Sequence, residues 1–240
     1  MTPRLAVVQH EDGCPLGLLA GWWSDGGIEV AVHRPDRGER LPAVAEVDGL
    51  VVLGGSMSCT DDAAHGWLAG TRGLMREAVA EGVPTLGVCL GLQLLAVACG
   101  GRVAPNPGGK QLGVLPLGLT PAAADDPLLG AVAAGARALQ WNDDVVVAPP
   151  PGAEVLAATP GGVPQALRVG AAAWGVQFHP EVDVTIVAGW AAEPGRPPHP
   201  GAPAALAQLR DAGPELAATW RPVADRFAAL VTERRSVINR

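Results

Sequence analysis

Residues 84–93 read PTLGVCLGLQ, in which Cys89 stands between two glycines. The run 84–89 is apolar and begins at a proline, which is typical of a short buried strand. The apolar run 90–99 is closed by Gly100-Gly101, which indicates a helix that ends there. A nucleophilic side chain at such a turn is the pattern of a nucleophile elbow, here with cysteine in place of serine. The alternative is a buried structural cysteine at a tight turn.

The segments around this turn predict alternating strands and helices. Apolar runs at 5–9, 28–32 and 48–55 predict three further strands, and the apolar spacing in 67–81 predicts a helix. Uniformly apolar strands that alternate with helices favour an α/β fold with a parallel sheet covered on both faces. Beyond residue 102, shorter runs separated by Pro and Gly predict added, mostly antiparallel strands. These runs are 113–119, 145–147, 154–157, 166–169 and 173–178.

The C-terminal part reads as an extension of the same domain. A Pro-rich loop is predicted over 192–203, and an apolar stripe after it predicts one face of a helix. Pro222 is expected to kink this helix or to mark its start. The prediction is therefore one domain, 1–240, in which 191–240 is a Pro-rich loop and helical extension without an assigned function.

Composition excludes several classes of protein. The chain has 240 residues, 48% of them hydrophobic and 17% charged, so a sizeable core is expected and disorder is not. The net charge of −7, without blocks of like charge, gives no support for nucleic-acid binding. No signal peptide or 18-residue apolar stretch is present, which predicts a cytoplasmic protein without membrane contact. The four cysteines form no C-x-x-C pair, which argues against disulfides and zinc.

A second informative segment, 174–182, reads WGVQFHPEV. On an extended chain, positions i and i+2 face the same way, so His179 and Glu181 are expected to project from one side. An imidazole beside a carboxylate is the pair of base and orienting group that a cysteine nucleophile needs. The alternative is a histidine at a strand end followed by a solvated surface charge.

The third segment, 53–58, reads LGGSMS. Glycines at the carboxyl end of a parallel strand leave backbone N–H groups facing the crevice where open α/β sheets bind ligands. An N–H group of Gly54 or Gly55, together with that of Leu90, could form an oxyanion hole. The alternative is a plain strand-to-loop turn.

Together, the motifs GGSMS, GVCLGLQLLA and WGVQFHPEV resemble the class I glutamine amidotransferases, in the order that the family has them. The resemblance covers about residues 5–190 and is strongest to stand-alone members similar to the glutaminase domain of GMP synthase. It implies a flavodoxin-like three-layer α/β sandwich, whose central sheet is mostly parallel with added antiparallel strands.

The resemblance also implies roles for individual residues. Cys89 is the nucleophile, His179 the general acid and base, and Glu181 the group that orients His179. Gly54, Gly55 and Leu90 belong to the oxyanion hole, Gln93 helps to hold the substrate, and no metal or cofactor is required. The chain departs from the family pattern at Asn142, where a histidine is common, and at 111–114, where Gln-Leu-Gly-Val replaces Glu-Ile-Gly-Trp.

Three functions remain open at this stage. The first is a glutaminase that forms a γ-glutamyl thioester on Cys89 and passes ammonia to a synthetase on another chain. The second is a γ-glutamyl peptidase that cleaves amides of larger amines without a partner, for which a wider site is the discriminating feature. The third is a non-catalytic regulatory protein with the same fold. The sequence leaves the oligomeric state open.

Overall fold

The computed structural model describes residues 2–193, 195 and 199–238. Its strands are β1 (Arg4–Val8), β2 (Glu29–His33), β3 (Gly49–Val52), β4 (Thr85–Val88), β5 (Arg102–Pro105), β6 (Gln111–Pro116), β7 (Gly118–Leu119), β8 (Arg137–Asn142), β9 (Asp144–Ala148), β10 (Glu154–Ala158), β11 (Pro164–Val169) and β12 (Ala173–Val176). Its α-helices are α1 (Leu18–Asp25), α2 (Trp67–Ala80), α3 (Leu90–Ala98), α4 (Val184–Ala191) and α5 (Ala202–Ile238).

Within these residues, eight strands form one sheet in the order β2-β1-β3-β4-β12-β11-β10-β7. The first five strands run parallel to one another, and β11, β10 and β7 continue the sheet in antiparallel pairing. Two small antiparallel sheets, β5 with β9 and β6 with β8, lie outside it. The predicted α/β fold, mostly parallel with added antiparallel strands, is confirmed.

The central strands are apolar throughout because both faces of the sheet are covered. Alternate residues of β1 pack on opposite sides, with Leu5 and Val7 on one face and Ala6 and Val8 on the other. Helices α1 and α5 cover the first face, and α2 and α3 cover the second. A strand that is buried on both sides has no polar face, so its sequence reads as a continuous apolar run.

The C-terminal helix differs from its prediction. Helix α5 begins at Ala202 and contains both Pro214 and Pro222, so Pro222 does not mark its start. An internal proline removes one backbone hydrogen bond and costs a helix about 3 kcal/mol. Buried residues of α5, among them Trp220 and Phe227, pack on the sheet side and offset that cost. Residues 194 and 196–198 of the predicted Pro-rich loop lie outside the described residues.

Strand order places the three sequence motifs together. Strands β3, β4 and β12 are neighbours and run parallel, so their carboxyl ends meet at one edge of the sheet. The loop that begins at Leu53, the turn at Cys89 and the segment that leads to His179 follow these three strands. None of the described helices is long and apolar enough to cross a membrane.

Candidate active site

Cys89 lies at a strained turn between β4 and α3. Its φ of 52° is positive, which no other non-glycine residue shows in the described part of the chain. A Cβ atom at Gly87 would lie 2.5 Å from the carbonyl carbon and oxygen of Gly91, and one at Gly91 would lie 2.0 Å from the carbonyl oxygen of Val52. The two glycines are therefore required by close backbone approach. Strain of this kind is retained mainly at functional sites.

His179 and Glu181 form a buried pair beside this turn. Glu181 Oε1 lies 2.7 Å from His179 Nδ1, and both side chains are 3% exposed. The backbone N–H of His179 donates to the carbonyl of Leu139 at 2.9 Å, which fixes the end of the segment that carries the ring. Glu181 Oε2 has no hydrogen-bond partner among the described residues. The carboxylate of Glu181 therefore binds the imidazole of His179 through only one of its two oxygens.

The electrostatics favour a protonated imidazole. Burial by itself lowers the pKa of His179, but the charges of Glu181 and Cys89, and hydrogen bonds to both, raise it to about 10. A protonated imidazole beside Cys89 is able to give a proton to a group that leaves at this position.

The other three cysteines have unreactive surroundings. Burial is the main cause that raises the pKa of the Cys59 thiol to about 11, and it also raises the pKa of Cys99. The pKa of Cys14 rises through burial and through the neighbouring charge of Glu11. These groups stay protonated near neutral pH, and a protonated thiol is a poor nucleophile.

The glycines of the GGSMS motif lie close to Cys89, His179 and Leu90. A Cβ atom at Gly54 would be 3.4 Å from His179 Cε1 and 3.7 Å from Cys89 Cβ. One at Gly55 would be 2.6 Å from Met57 Sδ and 2.8 Å from Leu90 Cδ2. The first N–H groups of a helix lack partners within the helix, and Leu90 opens α3. Gly55 and Leu90, whose N–H groups are predicted to bind an oxyanion, therefore lie in contact.

Gln93 lines the site, and a second glutamine that the sequence did not single out lies with it. The side chain of Gln93 donates to the carbonyl of Asp144 at 3.1 Å and to Gln177 Oε1 at 3.4 Å. Gln177 in turn donates to Cys89 Sγ at 3.5 Å. Its position two residues before His179 places it on the same side of the extended segment. That alternation is the signal by which Gln177 could have been found.

A cavity of about 650 Å³ opens over Cys89 and His179. Its walls come from residues 11–15, 55–58 and 141–144 and from Thr185, Ile186, Gly189 and Trp190 of α4. Trp190 of α4 packs on the His179 ring at 4.7 Å between centroids and on Trp141 at 5.9 Å. No sequence pattern pointed to Trp190, since α4 itself was not predicted.

The departure at Asn142 has a structural counterpart. Its side chain lines the cavity and donates to Gln111 Oε1 at 3.2 Å and to the carbonyl of Asp144 at 3.1 Å. The amide therefore ties β8 to β6 and to the start of β9. Across residues 2–193, 195 and 199–238, no group of three or more His, Cys, Asp or Glu is arranged to hold a metal ion.

Comparison with known proteins agrees with this geometry. The profile of the family described as glutamine amidotransferase class-I matches residues 23–187. The chain is 31% identical over 194 residues to the glutamine amidotransferase-like protein YfeJ of Salmonella typhimurium, covering 78% of this chain and 79% of that protein. It is 37% identical over 142 residues to one of the subunits of the glutamine-hydrolysing GMP synthase of Halobacterium salinarum, covering 59% and 70%.

A solved structure extends the agreement to nearly the whole chain. The glutamine amidotransferase of Methylobacillus flagellatus superposes with a TM-score of 0.81 at 27% identity, covering 98% of this chain and 96% of that one. The family profile, the relatives and the solved structure thus all describe the same family. The chain belongs to the class I glutamine amidotransferase family.

Proposed function

We propose that this protein is a cysteine-dependent glutaminase of the class I type, in which Cys89 is the nucleophile. The observation that carries the proposal is the buried His179–Glu181 pair, 2.7 Å apart, beside a cysteine held at φ 52° on the floor of a cavity. A structural cysteine needs neither the strained turn nor the paired imidazole.

The first half-reaction forms a thioester. The Cys89 thiolate attacks the γ-carboxamide carbon of glutamine, and the carbonyl oxygen becomes an oxyanion that the N–H groups of Gly55 and Leu90 stabilise. As the carbon–nitrogen bond breaks, the His179 imidazolium gives its proton to the nitrogen and ammonia leaves. Glu181 holds the imidazole through Nδ1, which keeps Nε2 directed at the reacting groups.

The second half-reaction consumes water. The neutral imidazole of His179 takes a proton from a water molecule as the oxygen attacks the thioester carbon. Collapse of the second tetrahedral intermediate expels the Cys89 thiolate, which restores the ion pair and releases glutamate. One glutamine and one water thus give one glutamate and one ammonia.

Relatives of this chain point to a use for the ammonia. The relative from Halobacterium salinarum is, by its name, one subunit of a glutamine-hydrolysing GMP synthase, and it is similar to 59% of this chain. By analogy, the ammonia formed at Cys89 would pass to a synthetase on a separate chain.

A second candidate function is favoured by the size of the cavity. The cavity volume of about 650 Å³ lies in the range of pockets that hold drug-sized ligands. This volume is larger than a glutamine molecule needs. The indoles of Trp190 and Trp141 continue the wall beyond His179, on the side where a leaving amine would be protonated. A γ-glutamyl amide of a larger amine would fill this space, and the same thioester chemistry would cleave it.

The test is glutamate release from L-glutamine and from γ-glutamyl dipeptides, with Cys89→Ser as the control. Release from glutamine that disappears in Cys89→Ser supports the glutaminase, and faster release from the dipeptides favours the second function. A chain that needs its partner for turnover is detected separately, because an electrophilic glutamine analogue would still alkylate Cys89. Absence of both turnover and alkylation would leave a non-catalytic protein and contradict the proposal.

A further inference from the structure

Glu11 makes an unusual pair of contacts across the mouth of the site. It follows β1, and its carboxylate faces Ser56 in the loop after β3. Glu11 Oε1 accepts the backbone N–H of Ser56 at 2.9 Å, and Oε2 accepts the Ser56 hydroxyl at 2.7 Å. One carboxylate thus accepts both hydrogen-bond donors, the N–H and the hydroxyl, of the residue that directly follows Gly54-Gly55.

Glu11 is itself fixed in place by its own loop. The side-chain amide of the buried Gln9 donates to the Glu11 carbonyl at 2.8 Å. The Cys14 thiol donates to Glu11 Oε1 at 3.2 Å, and the raised pKa of Cys14 keeps this thiol protonated and able to donate. A carboxylate anchored in this way can restrain the loop that it contacts.

The loop needs such a restraint because glycine has little conformational preference of its own. A Cβ atom at Gly55 would meet Met57 Sδ and Leu90 Cδ2 at less than 3 Å, so a side chain there would require Met57 and Leu90 to move. Oxyanion donors act through fixed geometry, and a displaced donor loses much of its effect. Side-chain bonds from outside the loop are therefore the available means to orient the Gly55 N–H.

The charge of Glu11 does not explain its presence in the cavity wall. A carboxylate there repels both the Cys89 thiolate and the developing oxyanion, so electrostatics alone would favour a neutral residue. The contributions that remain are its hydrogen bonds to Ser56 and to the Cys14 thiol, and only the former reach the loop of Gly55.

We propose that Glu11 is a positioning residue, which aligns the Gly55 N–H for the oxyanion by holding Ser56 with two hydrogen bonds. This inference rests on the proposed function, since it assumes that an oxyanion forms at Cys89. It assigns Glu11 no contact with the substrate.

The experiment compares two reactions of Cys89 in the full chain. Hydrolysis of glutamine, or of the preferred γ-glutamyl dipeptide, passes through an oxyanion. Alkylation by iodoacetamide is a direct displacement at carbon, in which the thiolate forms the new bond, iodide leaves and no oxyanion develops. Both rates are measured for the wild type, Glu11→Ala and Glu11→Gln, with the alkylated residue located by mass spectrometry.

A matched control is Glu46→Ala. Glu46 also accepts a backbone N–H, that of Ala43 at 3.0 Å, and pairs with Arg40 on the surface away from the cavity. The control thus removes a comparable carboxylate–backbone bond, and both of its rates should match those of the wild type.

We expect Glu11→Ala to lower kcat by roughly 10- to 100-fold with little change in KM, because one oxyanion donor is misaligned. Its alkylation rate should equal or exceed that of the wild type, since a repelling charge has gone. Glu11→Gln keeps the shape and one acceptor and should recover part of the lost kcat. Ser56→Ala, which keeps the N–H, should lose less than Glu11→Ala.

Three results would overturn the inference. They are a wild-type kcat in Glu11→Ala, a parallel fall of hydrolysis and alkylation, and a loss in Glu11→Gln as large as in Glu11→Ala. Hydrolysis that survives in Cys89→Ser would instead overturn the proposed function and this inference with it. Normal Cys89-dependent hydrolysis with no effect of Glu11→Ala would leave the proposed function standing and remove only the role of Glu11.

Discussion

Two buried carboxylates, Glu181 and Asp126, lie near strand β12 but differ in how many of their oxygens are hydrogen-bonded. Glu181 follows β12, and one of its two oxygens has no hydrogen-bond partner in the described part of the chain. Asp126 contacts Trp174 within β12, and its side chain is fully buried. It accepts backbone N–H groups from Leu128 and Leu129 at 2.9 Å and the indole N–H of Trp174 at 3.1 Å, and it pairs with Arg168 at 3.0 Å.

The number of hydrogen bonds to each carboxylate distinguishes a charge that stabilises the fold, at Asp126, from one that we propose serves the reaction, at Glu181. A buried carboxylate that stabilises a fold has its lone pairs satisfied, because an unsatisfied one is costly. Asp126 meets that condition. Glu181 does not, and its single strong bond goes to a group that changes its charge during the proposed reaction. The comparison makes distinct predictions for the two sites, which mutation can test.

The largest expected effect is that of Glu181→Gln on turnover. An amide in this position favours the wrong tautomer of His179 and cannot stabilise the imidazolium, so kcat should fall by roughly 10³- to 10⁴-fold. Because the carboxylate also raises the pKa of the buried His179, Glu181→Gln should lower the unfolding temperature as well, so turnover is compared per folded molecule. Steady-state kinetics and thermal unfolding of the same preparation measure both quantities, and a wild-type kcat in the folded variant would place Glu181 with Asp126 instead.

Asp126→Asn should lower stability without lowering turnover. Loss of the charge weakens the buried hydrogen bonds that Asp126 accepts from Leu128 and Trp174 and leaves Arg168 paired with Glu154 alone, so the free energy of unfolding should fall by roughly 3 kcal/mol. For a domain of this size that corresponds to a fall of roughly 6–12 °C in the unfolding temperature. Turnover per folded molecule, measured well below that temperature, should stay at the wild-type level. A selective loss of kcat would show that the distinction between the two carboxylates is wrong.

A smaller effect should appear in the pH dependence of stability. The pKa of His179 is raised in the folded protein to about 10, above the value of about 6.5 for an unfolded chain. The contribution of the charged ring is therefore complete below about pH 6.5 and is lost as the pH rises to about 10. Thermal unfolding of the wild type and His179→Gln across this window should show a shrinking difference. A difference that grows with pH would contradict the sign of the shift.

The smallest effect is expected for Trp220→Phe. Trp220 packs on Phe178 at 4.6 Å between ring centroids, and its indole N–H is buried without a partner among the described residues. Removing that unsatisfied donor offsets part of the lost packing, so stability should change by about 1 kcal/mol or less. Turnover should not change, because Trp220 does not line the cavity. Chemical denaturation beside a kinetic assay measures both, and a loss above that range would mean that the N–H is satisfied in solution.

Much of the parallel core was predictable because its signals are local. The strands at 5–9, 28–32, 48–55 and 84–89 agree with β1 to β4 to within a few residues. Strands β1, β3 and β4 are buried and therefore have apolar sequences, whereas β2 is a largely exposed edge strand. Helices α1 and α4, and strands β5 and β8, were not predicted. Each is short, and two of the four α1 residues nearest its C-terminus are polar, so periodicity gives them little signal.

The residues of the site also fall into two groups, those that the sequence indicated and those that only the structure showed. Cys89, His179 and Glu181 lie within short motifs whose backbone demands a particular residue type, such as the glycines that permit the turn at Cys89. Glu11 and Trp190 have no such motif around them. Their importance comes from neighbours that are distant in sequence, as with the 45 positions that separate Glu11 from Ser56.

Local chemistry in the chain was therefore enough to indicate the α/β core, the elbow and the residues that carry the proposed reaction. Steric demands at a tight turn and the alternation of an extended strand act over a few residues. The residues that meet these demands are therefore close together in the sequence and can be recognised there. The order of β3, β4 and β12, the continuous course of α5 through two prolines and the size of the cavity depend on packing between distant segments. Such contacts have no local signature, and they exist only once the chain has folded.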